Sequence, residues 1–318
     1  MSIGFIFAGQ GSQRVGMGKE IYDAYPAFKE TIDNADKFVR PVTDICIKEL
    51  CFEGPEEKLS STRNTQPAMV AFAVGVTKIL KSSGIIPEYV CGLSLGEYSA
   101  LYAADVLDEK TVLELVSKRG KYMEAAAKGI NVKMSAVLMA ERQLVIDTCE
   151  RVTAEFSDGK LVAAANFNCP GQIVISGNAE AVDKASAYLK EAGVKRIMPL
   201  NVSGPFHTPI MKPAGDALAA EFKDADFNAM TSKVIFNCTG KELQKDETIP
   251  GLLEKQVQSS VYMEDSIRYM AEHGVDTIIE IGPGKAISKF VKKTAPQVRV
   301  LSIDTAADLE NVIKELKA

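Results

Sequence analysis

The pentapeptide Gly92-Leu93-Ser94-Leu95-Gly96 places a serine between two glycines at the junction of two predicted elements. A short apolar strand, EYVCGL, leads into this turn, and a helical stretch, LGEYSALYAA, follows it. A Gly-x-Ser-x-Gly turn in that position is typical of a nucleophile elbow, because small neighbours let strand and helix approach while the hydroxyl projects outward. The alternative is a tight turn in which Ser94 only caps the helix. The context favours the nucleophile, with the Leu95 N–H directed at a developing oxyanion.

Short apolar runs alternate with helical patterns along most of the chain, which predicts an α/β fold with a largely parallel sheet. Residues 133–201 differ, because their pattern runs strand, helix, strand, strand, helix, strand. That order is typical of a ferredoxin-like unit. We therefore expect an inserted ferredoxin-like subdomain at 133–201, within a core formed by residues 1–132 and 202–318.

Other local signals give expectations for individual elements. Asp108 is a predicted N-cap for a helix that Lys128 and Gly129 close. Gln66-Pro67 is predicted to open a helix, since proline is favoured in a first helical turn. The remaining expectations used below are helices around 17–38, 42–50 and 66–83, and a strand at 233–240 (KVIFNCTG).

Composition and charge exclude several functional classes. The net charge is −5 and the pI about 5.4, so there is no basic footprint for nucleic acid or an anionic membrane. The six cysteines are scattered without a Cys-x-x-Cys pair, which argues against a zinc site and a disulfide framework. The N-terminus has no basic leader, and no apolar run has the length of a membrane span. We expect a cytoplasmic protein without a metal site.

A serine nucleophile needs a base, and the chain contains two histidines. His273 lies in the last turn of a predicted helix, where the helix dipole favours it. His207 lies in SGPFHTP, an irregular segment directly after the predicted insertion. No helix or strand packing explains His207, so we expect it to be the base.

Two glycine-rich loops resemble phosphate-binding motifs only in part. Gly9-x-Gly11-x-x-Arg14 lacks the third glycine of a dinucleotide fingerprint, and GPGK at 282–285 lacks the spacing of a P-loop. Both patterns are better explained as tight turns at strand ends. The first loop follows a predicted strand and so lies where α/β folds place their sites. The backbone N–H of Gln10 is therefore a candidate for a second oxyanion donor.

Taken together, several separated motifs resemble the malonyl-CoA:acyl-carrier-protein transacylases of type II fatty-acid synthesis. The resemblance covers essentially the whole chain and rests on FAGQGSQ, TQPA at 65–68, GLSLGEYSAL, RGKYM at 119–123, AANFNCPGQIVISG, SGPFHTPIM and EIGPGK. It implies a hydrolase-like α/β core with a ferredoxin-like insertion. It also implies a ping-pong transfer between malonyl-CoA and acyl carrier protein. CoA and phosphopantetheine then enter only as substrate carriers, with no further cofactor, and the protein is expected to be a monomer.

The same resemblance assigns roles to individual residues. Ser94 accepts the acyl group, His207 is its base, and the backbone N–H groups of Gln10 and Leu95 form the oxyanion hole. The counterpart of Gln256 orients the histidine through its backbone carbonyl, in place of the acid of a triad. The residues that the resemblance places against the substrate are Arg119, Gln66, Met123, Asn166, Asn168 and Phe206.

Arg119 supplies a physical reason for selectivity within this resemblance. A guanidinium can pair bidentately with the free carboxylate of a malonyl group, whereas acetyl has nothing to pair. Three alternatives stay open at this point: a serine esterase or thioesterase of related fold, a catalytically silent docking module, and a malonyl transferase that serves a polyketide synthase.

Leu93 is the one notable departure from the family pattern. The elbow of the family commonly reads Gly-His-Ser-Leu-Gly, and here leucine replaces that histidine. The residue before an elbow nucleophile usually points away from the nucleophile's side. We therefore expect Leu93 to adjust the pocket or support the turn, and the base to remain elsewhere.

Overall fold

The computed structural model describes residues 1–200 and 204–317. Within them, the strands in chain order are β1 (Ile3–Phe7), β2 (Tyr89–Gly92), β3 (Val132–Leu138), β4 (Val162–Cys169), β5 (Gln172–Asn178), β6 (Arg196–Leu200), β7 (Lys233–Val234), β8 (Val261–Tyr262), β9 (Thr277–Ile281) and β10 (Arg299–Ile303). Asn201, the last residue of the strand expected at 195–201, lies outside the described residues. So does the expected domain boundary between 201 and 202.

Helices surround both groups of strands. In chain order they are α1 (Lys19–Ala24), α2 (Pro26–Val39), α3 (Ile47–Glu53), α4 (Glu56–Leu59), α5 (Thr62–Ser82), α6 (Gly96–Ala103), α7 (Glu109–Ala127), α8 (Arg142–Ala154), α9 (Ala179–Glu191), α10 (Lys212–Glu221), α11 (Ile249–Gln256), α12 (Met263–Glu272), α13 (Ala286–Thr294) and α14 (Ala306–Lys317). Two 3-10 turns, Pro209–Met211 and Phe222–Asp224, flank α10.

The first sheet is parallel and has the order β10-β9-β1-β2-β7. Its central strands are buried on both faces, as expected for parallel strands covered by helices on either side. Phe7 at the end of β1 pairs with Gly92 at the end of β2. This register brings the loop after β1 next to the elbow after β2.

The second sheet has the order β6-β3-β5-β4-β8. Its first four strands pair antiparallel, and α8 and α9 pack on it around an apolar cluster that includes Val137, Val145 and Ile175. β8 joins this sheet from the far part of the chain by pairing parallel with β4. The fold class is therefore α/β, with a parallel sheet and a second, mainly antiparallel sheet, as the sequence predicted.

The structure corrects four expected elements. The helix expected at 17–38 is two helices, because Pro26 has no N–H to continue α1 and instead opens α2. The helix expected at 42–50 begins only at Ile47. α5 begins at Thr62, so Pro67 lies inside it rather than at its start. β7 ends at Val234, well short of the strand expected at 233–240.

Three short or terminal elements were not predicted, namely α4, β8 and α14. The predicted N-cap of α7 is confirmed: the Asp108 carboxylate accepts a hydrogen bond from the Thr111 N–H at 2.7 Å.

Candidate active site

Ser94 occupies a strained turn between β2 and α6. Its φ of 54° lies in the left-handed region, which non-glycine residues rarely adopt. The flanking glycines are required by space: a Cβ on Gly92 would lie 2.1 Å from the Gly96 carbonyl carbon, and one on Gly96 would lie 2.3 Å from the Phe7 carbonyl oxygen. The local sequence therefore folds as the strand–turn–helix of a nucleophile elbow.

Ser94, His207 and Gln256 form a hydrogen-bonded chain. The Nε2 atom of His207 lies 2.7 Å from Ser94 Oγ, and its Nδ1 lies 2.9 Å from the Gln256 carbonyl oxygen. A carbonyl can only accept a hydrogen bond, so Nδ1 carries the hydrogen and Nε2 accepts from the hydroxyl. His207 itself has a φ of 60°, and its backbone N–H donates to the Val257 carbonyl. The two residues that the sequence singled out thus lie within hydrogen-bonding distance of each other, as the proposed nucleophile and base require.

Arg119 extends from α7 into the same site and is 1% exposed. Its guanidinium donates to Gln66 Oε1 at 2.8 Å, to Gln256 Oε1 at 3.0 Å and to Ser94 Oγ at 3.2 Å. The close packing of α5 and α7 depends on Gly120, whose Cβ would lie 2.8 Å from the Cα of Arg63. Among the described residues, no carboxylate forms an ion pair with Arg119. Within the described residues, the buried guanidinium beside Ser94 thus donates its hydrogen bonds to neutral groups.

Burial and charge shift the pKa values of this cluster. Burial, followed by the positive charge of Arg119, lowers the pKa of His207 from 6.5 to about 4. Burial also lowers the pKa of Arg119. Glu97, fully buried in the first turn of α6, has its pKa raised to about 8 by burial. The imidazole is therefore neutral at pH 7, as a general base must be.

The proposed oxyanion donors lie on adjoining turns. Gln10 follows β1 and Leu95 follows the nucleophile, and both line the cleft above Ser94. Neither backbone N–H donates a hydrogen bond to another residue of the described chain. The Gln10 side chain is held aside, because its Nε2 donates to Thr62 Oγ1 at 3.0 Å. Both N–H groups are consequently free to receive a substrate oxygen.

The cleft has a volume of about 660 Å³ and lies between the loops that follow β1 and β2 and the strands of the second sheet. Its polar lining includes Asn166 and Asn168 from β4, and the Asn168 Oδ1 has no partner among the described residues. Its apolar lining includes Met123 and Phe206. Gln66 is buried behind this wall, where its Nε2 donates to the Met123 sulfur at 3.4 Å. Every site residue expected from the sequence is thus in or directly behind one cleft.

His273 lies away from this cleft. It caps the end of α12, where its Nδ1 contacts the Tyr269 carbonyl at 2.7 Å and its ring stacks on Tyr269. Leu93 lines the cleft and also packs partly against the apolar cluster beneath it.

Two residues at the site were missed by sequence reasoning. Asn237 is fully buried, and its Oδ1 accepts the Ser94 N–H at 2.7 Å. Glu97 in turn accepts the Asn237 N–H through Oε2. The Asn-Cys-Thr-Gly run at 237–240 was a signal for a turn after the apolar run, but it was included in a longer predicted strand.

Among residues 1–200 and 204–317, no group of three or more His, Cys, Asp or Glu side chains could hold a metal ion. No described helix has the length and apolar character needed to cross a membrane.

An elbow serine hydrogen-bonded to a buried histidine, with two free backbone donors and an adjacent arginine, is an arrangement suited to acyl transfer. Residues 4–318 match the acyl transferase domain family, and the chain belongs to that family. Its relatives identify the branch. The chain is 42% identical to the malonyl CoA-acyl carrier protein transacylase of Bacillus subtilis, over 99% of this chain and 97% of the relative.

Solved structures agree with this relationship. The crystal structure of MCAT from Streptococcus pneumoniae is 41% identical, with a TM-score of 0.91 over 99% of this chain and 100% of that one. A malonyl-transacylase solved in complex with its type II PKS acyl-carrier protein is 32% identical, with a TM-score of 0.91 and the same coverage. The resemblance to malonyl transacylases drawn from the sequence motifs is thereby confirmed.

Proposed function

We propose that this protein transfers a malonyl group from malonyl-CoA to the phosphopantetheine thiol of acyl carrier protein, through a malonyl ester of Ser94. The observation that carries the proposal is Arg119. Its guanidinium lies 3.2 Å from the nucleophile, buried and without an acidic partner among the described residues. A buried cation of this kind is costly unless it is paired. The free carboxylate of a malonyl group supplies the missing partner at the position where the acyl group must lie.

In the first half-reaction, His207 Nε2 takes the proton of Ser94 Oγ as that oxygen attacks the thioester carbonyl. The N–H groups of Gln10 and Leu95 stabilise the tetrahedral oxyanion. The carbon–sulfur bond then breaks, CoA leaves with the proton returned from His207, and malonyl-Ser94 remains. The thiol of the carrier protein repeats these steps in reverse.

The contacts of His207 support its role as the base. Its Nδ1 hydrogen is held by the Gln256 carbonyl, so the ring keeps Nε2 unprotonated toward Ser94. The positive charge that His207 acquires during attack is stabilised by this carbonyl. The steps use protein groups and the two substrates, and CoA and phosphopantetheine act as carriers.

Intact-mass spectrometry tests the proposal. After brief exposure to malonyl-CoA, the protein should carry one malonyl group, and Ser94→Ala should carry none. The adduct should persist in buffer and be discharged rapidly by holo acyl carrier protein. Discharge by water at the same rate as by the carrier would instead identify a thioesterase of related fold. A mass shift that persists in Ser94→Ala would assign the nucleophile elsewhere.

We assign the carrier protein to fatty-acid synthesis. The alternative is a carrier of polyketide synthesis, which the similarity to a type II PKS malonyl-transacylase keeps open. Relative kcat/KM for the two classes of holo carrier protein distinguishes them. A cytoplasmic location and a monomeric state belong to the same proposal.

We also propose that the chain is organised as a hydrolase-like core (1–132 and 202–318) with a ferredoxin-like subdomain at 133–201. The strand order β6-β3-β5-β4 supports the subdomain, since these four strands and the helices α8 and α9 are consecutive in the chain. The separate parallel sheet supports the core.

A further inference from the structure

The elbow is held by groups outside its own sequence. Gly92 and Gly96 remove steric obstacles, but they do not by themselves keep Ser94 in the left-handed region. A strained backbone conformation of this kind persists only where the surrounding contacts hold it in place. The local backbone contributes hydrogen bonds from the Gly96 N–H to the Leu93 carbonyl at 3.0 Å and from the Glu97 N–H to the Ser94 carbonyl at 3.2 Å.

Asn237 supplies two further hydrogen bonds through one planar amide. Its Oδ1 accepts the Ser94 N–H at 2.7 Å, and its Nδ2 donates to the Gly92 carbonyl at 2.7 Å. These atoms belong to the two peptide groups on either side of Leu93. A single buried side chain thus fixes the backbone that leads directly into the nucleophile.

Asn237 is itself anchored at its backbone. Its N–H donates to Glu97 Oε2 at 2.5 Å, and its carbonyl accepts the Tyr262 N–H at 2.8 Å. Glu97 is fully buried one turn after the nucleophile, so it links the start of α6 to the segment after β7. These contacts with α6 and β8 therefore fix the position from which the Asn237 amide reaches the elbow.

We propose that Asn237 is a positioning residue for acyl transfer, whose amide holds Ser94 and the Leu95 N–H in the geometry that the reaction requires. The inference rests on the proposed function for its catalytic meaning. Asn237 does not line the cleft, so it acts on the reaction through the elbow backbone rather than through the substrate. Loss of the amide should lower the rate of acylation and leave substrate affinity unchanged.

The test compares Asn237→Ala with Cys238→Ala. Cys238 is the next residue, is also buried, and contacts the Leu252 carbonyl rather than the elbow. Each folded variant is assayed for malonyl transfer and for inactivation by a small sulfonyl fluoride, which needs Ser94 and His207 but no carboxylate. Affinity for malonyl-CoA is measured calorimetrically with each substitution in a Ser94→Ala background.

For Asn237→Ala we expect the rate of malonyl transfer and the rate of inactivation by the sulfonyl fluoride to fall by about 10- to 100-fold each. This is the scale expected for a misplaced catalytic group. Affinity should stay within about two-fold, and Cys238→Ala should retain both rates. If Asn237→Ala does not fold, Asn237→Ser serves in its place, since a hydroxyl cannot span both peptide groups. Rates within about two-fold of the parent, or equal losses in Cys238→Ala, would overturn the inference.

The two readouts also separate this inference from the proposed function. A parent protein that reacts with the sulfonyl fluoride but transfers no malonyl group would contradict the proposed function. Slower sulfonylation of Asn237→Ala would still support the positioning role in that case.

Discussion

The Nδ1 atom of His207 lies 2.9 Å from the backbone carbonyl oxygen of Gln256, so a peptide group stands where a Ser-His-Asp triad has its carboxylate. A carbonyl fixes the tautomer as a carboxylate does, but it carries no full negative charge to raise the basicity of the imidazole. The lowered pKa of His207 agrees with this contact, because no anion counteracts the effects of burial and of the Arg119 charge. Because the contact comes from the backbone, substitution of the Gln256 side chain leaves it in place.

The first prediction concerns the choice of base. His207→Ala should slow acylation of Ser94 by roughly 10²- to 10⁴-fold, the usual contribution of a positioned general base. His273→Ala is the matched control and should stay within about two-fold, because His273 only caps α12. Rapid-quench measurement of malonyl-enzyme formation gives both rates. A larger loss in His273→Ala would show that the base has been assigned wrongly.

The second prediction concerns the ionisation of His207. Its pKa should be about 4, and Arg119→Gln should raise it, because burial and then the arginine charge lower it. Histidine Cε1–H resonances followed by NMR measure this directly, since the chain has two histidines and His273→Gln assigns them.

The same shift makes stability depend on pH. The unfolded chain binds the proton near pH 6.5 and the folded chain only near pH 4. The contribution of His207 to stability is therefore present above pH 6.5 and is lost as the pH falls from 6.5 to 4. Urea unfolding at pH 7 and pH 5 should show a smaller decrease for His207→Gln than for the parent. An unchanged decrease would contradict the lowered pKa.

The third prediction concerns selectivity. A charge-assisted pair between Arg119 and the malonyl carboxylate should be worth roughly 2–5 kcal/mol in a buried site. Arg119→Ala should therefore lower kcat/KM for malonyl-CoA by roughly 30-fold to several thousand-fold. Transfer of acetyl should fall little or rise, because acetyl has no carboxylate to lose. Equal losses for the two acyl groups would mean that Arg119 serves the fold or the CoA moiety.

The fourth prediction concerns the side chain of Gln256. Its Nε2 donates to the Ser94 carbonyl at 2.7 Å, and its Oε1 accepts from Arg119. The Ser94 carbonyl and the Leu95 N–H belong to one peptide group and point in opposite directions. Holding the carbonyl toward Gln256 therefore directs the N–H into the cleft.

Gln256→Ala should lower kcat by about 10- to 100-fold through this loss of alignment, with the pKa of His207 scarcely changed. Gln258→Ala is the control, because the Gln258 side chain donates to the Glu254 carbonyl near its own helix end at 3.3 Å and not to the elbow. Full activity in Gln256→Ala would show that only the backbone carbonyl of Gln256 matters.

The sequence predicted Ser94 and His207 because their local motifs are constrained by chemistry. An elbow must lie between strand and helix, and a chain with two histidines offers few bases. The sequence also predicted the fold class, since strands and helices of ordinary length are long enough to show their characteristic spacing of apolar residues. These features can be inferred from neighbours in the chain.

Asn237 and Glu97 could not be found in the same way. Asn237 and Ser94 are 143 residues apart in the sequence, and a contact between such distant residues produces no hydrophobic pattern around either of them. Glu97 occupies the first turn of a helix, where an acidic residue is ordinary and usually solvated. β8 has only two residues, too few to show alternation. α14, by contrast, had a helical pattern that could have been recognised.

The pairing of β8 with β4 has a consequence for how substrates enter. Val261 pairs with Asn166, and Ser260 Oγ donates to the Ala164 carbonyl at 2.7 Å. β8 begins five residues after Gln256, so this ladder couples the second sheet to the segment that carries the partner of His207. A rotation of the second sheet that opened the cleft would therefore have to break the β4–β8 pairing or displace Gln256 as well.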